Sequence, residues 1–418
     1  MKTIWIMNHY ATDTFFDRGG RHYYFAKYLI KKGYDVTIFC ASTVHNTDKN
    51  IDTGEKKYKE DTVDGIPYVF VKTPSYQGNG ISRIKNMISF YIQLFPVTKK
   101  FIKKNKRPDI ILASSVHPLT LLAGIWIGKR LQVPCVCELR DLWPEAIVKF
   151  SNLSKKNLII QFLYRMEKWI YKKADALIFT MAGGKQYIKE QGWTKDITPQ
   201  KIYYINNGVD LDTFEYNKEH FQICEKDLDN EKIFKVLYAG SIRKVNNLGM
   251  IVECARELEK KEPKIKFLIW GDGDEREELK RKCKELQLNN IIFKGKVEKK
   301  YIPYILSKAD INLLHWQKTD LNRYGCSLNK LFEYLAAKRI IVSDVKMGYD
   351  LLEEYQCGIV TEKQNEEELQ KAILKCFFMT EEERSVYLSN MQKCIENYDF
   401  KVLTDKLEKI LKDTERRK

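Results

Sequence analysis

The sequence predicts an α/β protein of two domains, each with a doubly wound parallel sheet. Its 418 residues exceed the roughly 250 to 300 at which one hydrophobic core stops growing, and short apolar runs alternate with amphipathic, helix-like segments. In the first half the strand-like runs lie at residues 3–8, 35–41, 109–115, 133–139 and 175–180. They begin again at residues 234–240, 265–271, 290–295, 309–315 and 339–344. Such alternation is typical of Rossmann-like domains.

The boundary between the domains is predicted near KIYYINNGVDLDTF, ahead of the polar segment 215–232, because linkers are polar and exposed. We therefore predict an N-terminal domain at 1–205 and a C-terminal domain at 206–385. Residues 386–418 are charged and helix-like, with no strand-like run. They are expected to form a closing helical segment.

Composition and cysteine usage favour a folded protein of a reducing compartment. Hydrophobic residues make up 44% and charged residues 31% of the chain, which is typical of a globular protein. Ten cysteines are scattered, so buried reduced thiols are expected rather than a zinc site. The first residues, MKTIWIMNHY, lack the pattern of a secretory signal, and a cytoplasmic location is expected. The apolar stretch 110–127 is broken by His117 and Pro118, which predicts a strand, loop and helix rather than a membrane span.

Positive charge is concentrated in the first half. Of the net +16, residues 1–200 carry +15, from 32 Lys and Arg against 17 Asp and Glu. Residues 82–108 hold eight basic residues, no acidic ones and several aromatic ones. This segment suits an anionic membrane surface, where each basic residue contributes ~1 kcal/mol; a solvated helix of a basic protein is the alternative. Nucleic acid is not expected as a partner, because no nucleic-acid-binding motif accompanies the charge.

Five segments in a fixed order connect the sequence to a known family. They are RDLWPE (140–145), NNGVDLDTF (206–214), YAGSIRKVNNL (238–248), GDGDEREEL (271–279) and SLNKLFEYLAAKRIIVSD (327–344). With them the chain resembles the family 4 glycosyltransferases of bacterial surface polysaccharide biosynthesis, including a subfamily with an SPNKLFEY-like donor motif. The resemblance implies the GT-B fold, in which two Rossmann-like domains face each other across a cleft. The first domain would bind the acceptor and the second the nucleotide-sugar donor.

The SLNKLFEY segment is predicted to begin the donor site. Ser327 is a suitable helix N-cap, and the peptide N–H groups at the helix start would face a diphosphate. Lys330 and Glu333 lie three residues apart, on one face of the helix. The resemblance assigns Lys330 to the phosphates or the sugar and Glu333 to the ribose hydroxyls, with an exposed salt bridge between them as the alternative.

Two positions of this segment depart from the family pattern. Gly325 stands where the wider family has the first glutamate of a pair, and Leu328 stands where the subfamily has proline. The sugar hydroxyls would then be held by Asn329 and by backbone amides, including that of Leu328.

Other donor-site residues are expected at the strand ends of the second domain. Arg243 or Lys244 would neutralise the departing diphosphate, with Ser241 beside them, because stabilising charge on the leaving group is a large catalytic effect. Three strand-ending glycines would let the backbone approach the ligand, with purely structural turns as the alternative for the last two: Gly240, Gly271 and Gly295.

In the first domain, Gly19 and Gly20 precede a helix, so their amides are expected near the phosphates or the acceptor, unless they form an ordinary turn.

His117 follows a strand and is predicted to point into the cleft; a structural histidine is the alternative. Arg140 and Asp141 stand where relatives often carry His-Asp. Because arginine stays protonated, Arg140 is predicted to bind an acceptor phosphate rather than to act as a base.

The function expected from the resemblance is that of a retaining hexosyltransferase. The donor would be a UDP-sugar, UDP-N-acetyl amino sugars included, and the acceptor a polyprenyl-diphosphate-linked saccharide in capsule or O-antigen assembly. The enzyme would lie peripherally on the inner face of the plasma membrane and need no metal or other cofactor. Two alternatives remain: a sugar-nucleotide 2-epimerase on the same scaffold, and a non-catalytic, membrane-associated partner of a biosynthetic complex.

Overall fold

The structure is a computed structural model that describes residues 1–417 apart from 45, 46, 48, 49, 79, 116 and 152. The chain forms two compact units, Met1–Asn206 with Phe400–Lys418 and Asn207–Asp399, so the division lies one residue beyond the predicted boundary. The segment 386–418 is not one closing element, because the chain returns to the first unit at Phe400. Phe400 stacks on Tyr24 with ring centroids 4.9 Å apart, whereas Tyr398 packs on Phe332 at 5.2 Å in the second unit.

The first unit is built on one sheet. Its strands are β1 (Thr3–Asn8), β2 (Asp35–Ala41), β3 (Tyr58–Val63), β4 (Ile66–Val71), β5 (Ile110–Ser114), β6 (Cys135–Leu139), β7 (Ala176–Phe179) and β8 (Ile202–Tyr204). Within the described residues they form an eight-stranded sheet in the order β3-β4-β2-β1-β5-β6-β7-β8. All neighbours are parallel except β3 and β4. The carboxyl ends of β1, β5 and β6 therefore meet at one edge.

The helices of the first unit cover this sheet. They are α1 (Thr12–Asp17), α2 (Arg21–Lys31), α3 (Ile81–Phe101), α4 (Pro118–Leu131), α5 (Trp143–Phe150), α6 (Leu158–Lys173), α7 (Gly184–Glu190) and α16 (Phe400–Arg416). Pro118 begins α4, a position where the missing N–H of proline costs no helical hydrogen bond. The apolar stretch 110–127 is thus a strand, a loop and a helix, as predicted.

The second unit repeats the arrangement. Its strands are β9 (Phe234–Ala239), β10 (Ile265–Trp270), β11 (Ile291–Gly295), β12 (Ile311–Leu314), β13 (Ile340–Ser343) and β14 (Ile359–Val360). They form a parallel sheet in the order β11-β10-β9-β12-β13-β14. Its helices are α8 (Leu211–His220), α9 (Gly249–Lys261), α10 (Arg276–Glu285), α11 (Ile302–Ser307), α12 (Asn329–Ala337), α13 (Leu351–Glu354), α14 (Glu366–Phe377) and α15 (Glu381–Glu396). The predicted fold of two parallel-sheet α/β domains is confirmed.

None of the ten cysteines, which all lie within the described residues, forms a disulfide, but two depart from the expectation of buried thiols: Cys224 is exposed and Cys326 is half-buried. Among the helices in the described part of the chain, none is long and apolar enough to cross a membrane.

Candidate functional site

A cavity of about 590 Å³ opens at the carboxyl ends of β9, β10 and β11 in the second unit. Its wall consists of the residues that follow these strands and the start of α11: Gly240, Ser241, Arg243, Trp270, Gly271, Asp272, Gly273, Lys296, Val297 and Ile302. Ligands of open α/β sheets bind at this edge. The position is the one predicted for the donor.

Backbone hydrogen bonds hold the strand-end loops side by side. Gly240 N donates to Trp270 O at 2.9 Å, and Gly271 N donates to Gly295 O at 2.9 Å. Gly271 has a φ of +143°, and a Cβ there would collide with the carbonyl oxygen of Gly240, so no other residue fits. Gly271 lines the cavity, whereas Gly295 does not.

Lys330 reaches back from α12 to the end of β9. Its Nζ donates to Tyr238 Oη at 3.0 Å and lies 4.3 Å from the centre of that ring, a cation–π geometry. A Cβ on Gly240 would lie 2.5 Å from Lys330 Nζ. Glycine at position 240 therefore makes room for the ammonium group directly beside the cavity wall.

Lys330 and Glu333 do not pair with each other, so the exposed salt bridge is not formed. Within the described residues no ion pair involves either side chain, and both are half-buried. Burial lowers the pKa of Lys330 to about 8, with Glu333 only partly opposing this. Burial likewise raises the pKa of Glu333, against the effect of Lys299 and Lys330. A half-buried cation without a counter-ion is suited to bind an anionic ligand.

The prediction that Ser327 caps the helix is wrong. Helix α12 begins at Asn329, its N-cap residue is Leu328, and no side chain caps it. Ser327 instead accepts a hydrogen bond from Asn207 N at 3.2 Å, and its carbonyl accepts one from Asn207 Nδ2 at 2.9 Å. The serine thus joins the helix start to the NNGVD segment.

The region before α12 is irregular. Gly325 follows a 3-10 turn (Asp320–Tyr324) with a φ of +86°, a conformation that favours glycine over the glutamate of the wider family. Asn329 is exposed at the first position of the helix. The polar groups at the start of α12 are therefore the backbone N–H groups and the exposed side chain of Asn329.

The structure distinguishes the two candidate cations after β9. Arg243 is exposed and lies on the cavity wall, whereas Lys244 begins a 3-10 turn (Lys244–Asn246) and lies outside the wall. Ser241 Oγ accepts a hydrogen bond from Asn246 Nδ2 at 2.8 Å, which fixes this loop. Lys296, directly after β11, is a further basic residue of the wall. The sequence analysis did not predict it, although its position after a strand-ending glycine could have indicated a residue of the site.

The predicted residues of the first unit lie at the edge where β1, β5 and β6 end. Gly20 precedes α2 with a φ of +101°, and Gly19 is buried, as in a tight turn. His117 directly precedes α4 and is 1% exposed. Arg140 is half-buried and Asp141 is exposed just beyond β6. His117, Arg140 and Asp141 thus lie at the ends of two neighbouring strands.

A buried ionic network beneath this edge was not predicted. Arg21 Nε donates to Glu138 Oε1 at 2.7 Å, and its Nη atoms donate to the carbonyls of Ile205 and Asn206. Glu138 Oε2 lies 2.8 Å from His22 Nε2. Burial alone would raise the pKa of Glu138, but Arg21 and His22 more than offset this and hold it below its usual value. The glutamate within the apolar run VPCVCEL could have indicated a buried charge that needs a cationic partner.

Comparison with known proteins agrees with this architecture. Residues 21–213 match the model of Glycosyltransferase Family 4, and residues 221–393 match that of Glycosyl transferases group 1. A structure of Anabaena Alr3699/HepE in complex with UDP and glucose covers 99% of this chain and 100% of its own, with a TM-score of 0.68 at 13% identity. Two consecutive segments of the chain therefore match glycosyltransferase family models, and its architecture is that of the GT-B fold.

Two curated relatives carry related sequences. MJ1069 of Methanocaldococcus jannaschii, an uncharacterized glycosyltransferase, is 26% identical over 63% of this chain and 65% of its own length. TuaH of Bacillus subtilis, whose name refers to teichuronic acid biosynthesis, is 25% identical over 68% of this chain and 75% of its own length. The match to MJ1069 thus spans less than two thirds of that protein.

Proposed function

We propose that this protein is a retaining glycosyltransferase that moves a sugar from a UDP-sugar to a polyprenyl-diphosphate-linked saccharide in capsule or O-antigen assembly. The observation that carries the proposal is the ammonium group of Lys330, held above Gly240 beside a cavity whose wall contains Arg243. Two cations at a strand-end cavity suit a nucleoside diphosphate. The UDP in the HepE complex and the name of TuaH support the donor and the polysaccharide role.

The proposed reaction breaks the bond between the anomeric carbon and the diphosphate and forms the new glycosidic bond on the same face of the sugar. The proton of the acceptor hydroxyl passes to an oxygen of the leaving phosphate, so no side chain needs to act as base. Arg243 and Lys330 stabilise the negative charge that develops on the diphosphate. The proposal assigns this neutralisation to side chains and not to a metal, and EDTA is therefore expected to leave the rate unchanged.

An assay with a panel of UDP-sugars, with and without polyprenyl-diphosphate saccharides, tests the proposed function. Acceptor-dependent release of UDP supports it. Epimerised sugar nucleotide without an acceptor would instead show the 2-epimerase, and vesicle binding without turnover would show a non-catalytic partner.

We further propose that α3 binds the inner face of the plasma membrane. Four isoleucines at helical spacing are exposed on one side of α3, with 73%, 52%, 44% and 55% of their surfaces accessible: Ile81, Ile84, Ile88 and Ile92. Of the eight basic residues in 82–108, four lie on α3 and four follow it directly. An apolar stripe beside basic residues suits anionic lipid, and this exposure favours the membrane over a solvated helix.

Replacing both Ile84 and Ile88 with aspartate should weaken binding to phosphatidylglycerol vesicles about tenfold or more, since burying one isoleucine contributes ~1.5 kcal/mol or more. Vesicle co-sedimentation measures the change. Val386→Asp is the matched control, because Val386 is 59% exposed on α15 in the second unit. Equal binding by the double variant and the control would contradict the assignment.

The pKa of Lys330, lowered to about 8 by burial, predicts proton uptake when UDP binds. At pH 8.5 part of the side chain is neutral, and a diphosphate favours the ammonium form, so its pKa rises on binding. Calorimetry in two buffers of different ionisation enthalpy should show this uptake, and UDP affinity should fall as the pH rises above 8. Lys330→Arg should abolish the uptake, because arginine stays charged; uptake persisting in that variant would contradict the assignment.

A further inference from the structure

Two histidines that follow neighbouring strands of the first unit form a hydrogen-bonded chain. His9, after β1, and His117, after β5, lie side by side because β1 and β5 are paired up to Asn8 and Ser114. His9 Nδ1 is 2.6 Å from His117 Nε2, and His9 Nε2 is 2.6 Å from Asn86 Oδ1 of α3. All three side chains are buried.

The direction of these hydrogen bonds follows from Asn86. Its Nδ2 donates to the carbonyl of Pro74 at 2.6 Å and to Thr43 Oγ1 at 2.9 Å, and a carbonyl can only accept. The atom that faces His9 is therefore the amide oxygen, so His9 Nε2 carries the proton. In a neutral His9, Nδ1 is then bare and accepts a hydrogen bond from Nε2–H of His117.

The proton of neutral His117 is thereby fixed on Nε2, and its Nδ1 keeps a lone pair. Burial lowers the pKa of His117 well below its usual value, and neighbouring His9 and Arg83 add to this effect, so the neutral ring is favoured. Among the residues that the structure describes, His117 Nδ1 is buried without a hydrogen-bond partner. Because an unpartnered buried acceptor is costly, its retention points to a ligand that supplies the donor.

The ring of His9 is held on both faces. It stacks on Phe90 with centroids 4.6 Å apart and planes 6° apart, and on Tyr10 at 4.5 Å and 11°. Rotation of this ring is therefore restricted, as a positioning role requires.

We propose that His9, held by Asn86, is a positioning residue that presents the Nδ1 lone pair of His117 to a hydroxyl group of a bound saccharide. The ligand of this contact rests on the proposed function. The proton positions of the two rings do not, and they are measurable in the absence of any substrate.

Nitrogen-15 NMR of the unliganded protein tests the proton positions first. The chain has six histidines, and single His→Gln variants assign their signals. At pH 7.5 both His9 and His117 should show protonated Nε2 and bare Nδ1. A protonated Nδ1 on His117 would overturn the proposal, whether or not a transfer reaction has been found.

Paired substitutions separate a ligand contact from a structural one. In His117→Asn the amide oxygen takes the place of Nδ1, whereas in His117→Gln the amide nitrogen takes the place of Nε2 and keeps the bond to His9. The Gln variant should lose about tenfold in kcat/KM, the effect of one hydrogen bond, and the Asn variant should retain more activity. The reverse order would show that the bond to His9 is all that matters and would overturn the proposal.

The same logic applies to His9. His9→Gln offers an acceptor to His117 and a donor to Asn86, so its kcat/KM should stay within about threefold of the wild type, whereas His9→Phe should lose about tenfold. Melting temperatures verify that both variants fold. Equal kcat/KM in two folded His9 variants would overturn the positioning role, and if His9→Phe does not fold, the NMR result and the His117 pair decide.

Discussion

Replacing Lys330 with methionine should lower kcat/KM for the UDP-sugar about 100- to 1000-fold, the effect of removing one preorganised group that stabilises transition-state charge. Methionine fills similar space against Tyr238 but cannot bind a diphosphate. Among the described residues the half-buried ammonium beside Gly240 has no ion-pair partner, so the substitution removes a cation without breaking an ion pair. Steady-state kinetics and UDP binding by calorimetry measure the loss.

Lys244→Met is the matched control. Lys244 is also a lysine near β9, but it lies outside the cavity wall, so its replacement should change kcat/KM much less. Glu333→Gln tests the predicted contact between Glu333 and the ribose hydroxyls, and the affinity for UDP is the measurement. If Lys330→Met and Glu333→Gln both bind UDP as the wild type does, the donor site has been placed wrongly.

Replacing Glu138 with glutamine should lower the free energy of unfolding by about 3 to 5 kcal/mol, because it leaves the Arg21 guanidinium buried without its counter-charge. Both side chains are almost inaccessible to solvent, at 4% for Arg21 and 0% for Glu138. Urea unfolding followed by circular dichroism and tryptophan fluorescence measures the change. The loss should be greatest near neutral pH.

The pH dependence of this effect has a definite sign. The folded-state pKa of Glu138 is held below its usual value, so the carboxylate contributes stability above the unfolded pKa of about 4.5. That contribution is lost as the pH falls towards the folded pKa, and the difference between wild type and Glu138→Gln should shrink in acid. Glu367→Gln, which breaks an exposed pair with Lys371, should leave unfolding nearly unchanged. A Glu138 variant as stable as this control would contradict the role of the network.

Much of the fold could be predicted because buried parallel strands appear in sequence as continuous apolar runs. β1 is one such run, TIWIMN, with every residue buried. The edge strand β3, YKEDTV, exposes its four central residues and so resembles a loop. β14 has two residues, too few for any periodicity. These two strands lie outside the predicted runs for those reasons. The strands β4 (IPYVFV) and β8 (IYY) also lie outside them, although both contain apolar residues.

The candidate site was predictable only where residues are close in sequence. Lys330 and Gly240 come from separate motifs, and their contact requires β9 and α12 to be packed together. The cap at Ser327 failed because Asn207, 120 residues away in sequence, engages that serine. The pairing of His9 with His117 likewise depends on the order of strands in the sheet. Local sequence does not contain these long-range contacts.

A crystal structure of the protein with bound UDP tests the proposed donor site most directly. The diphosphate is expected within hydrogen-bonding distance of Lys330 Nζ and the Arg243 guanidinium, with the nucleotide in the cavity at the ends of β9, β10 and β11. UDP bound elsewhere, or bound in this cavity with its diphosphate away from both cations, would contradict it.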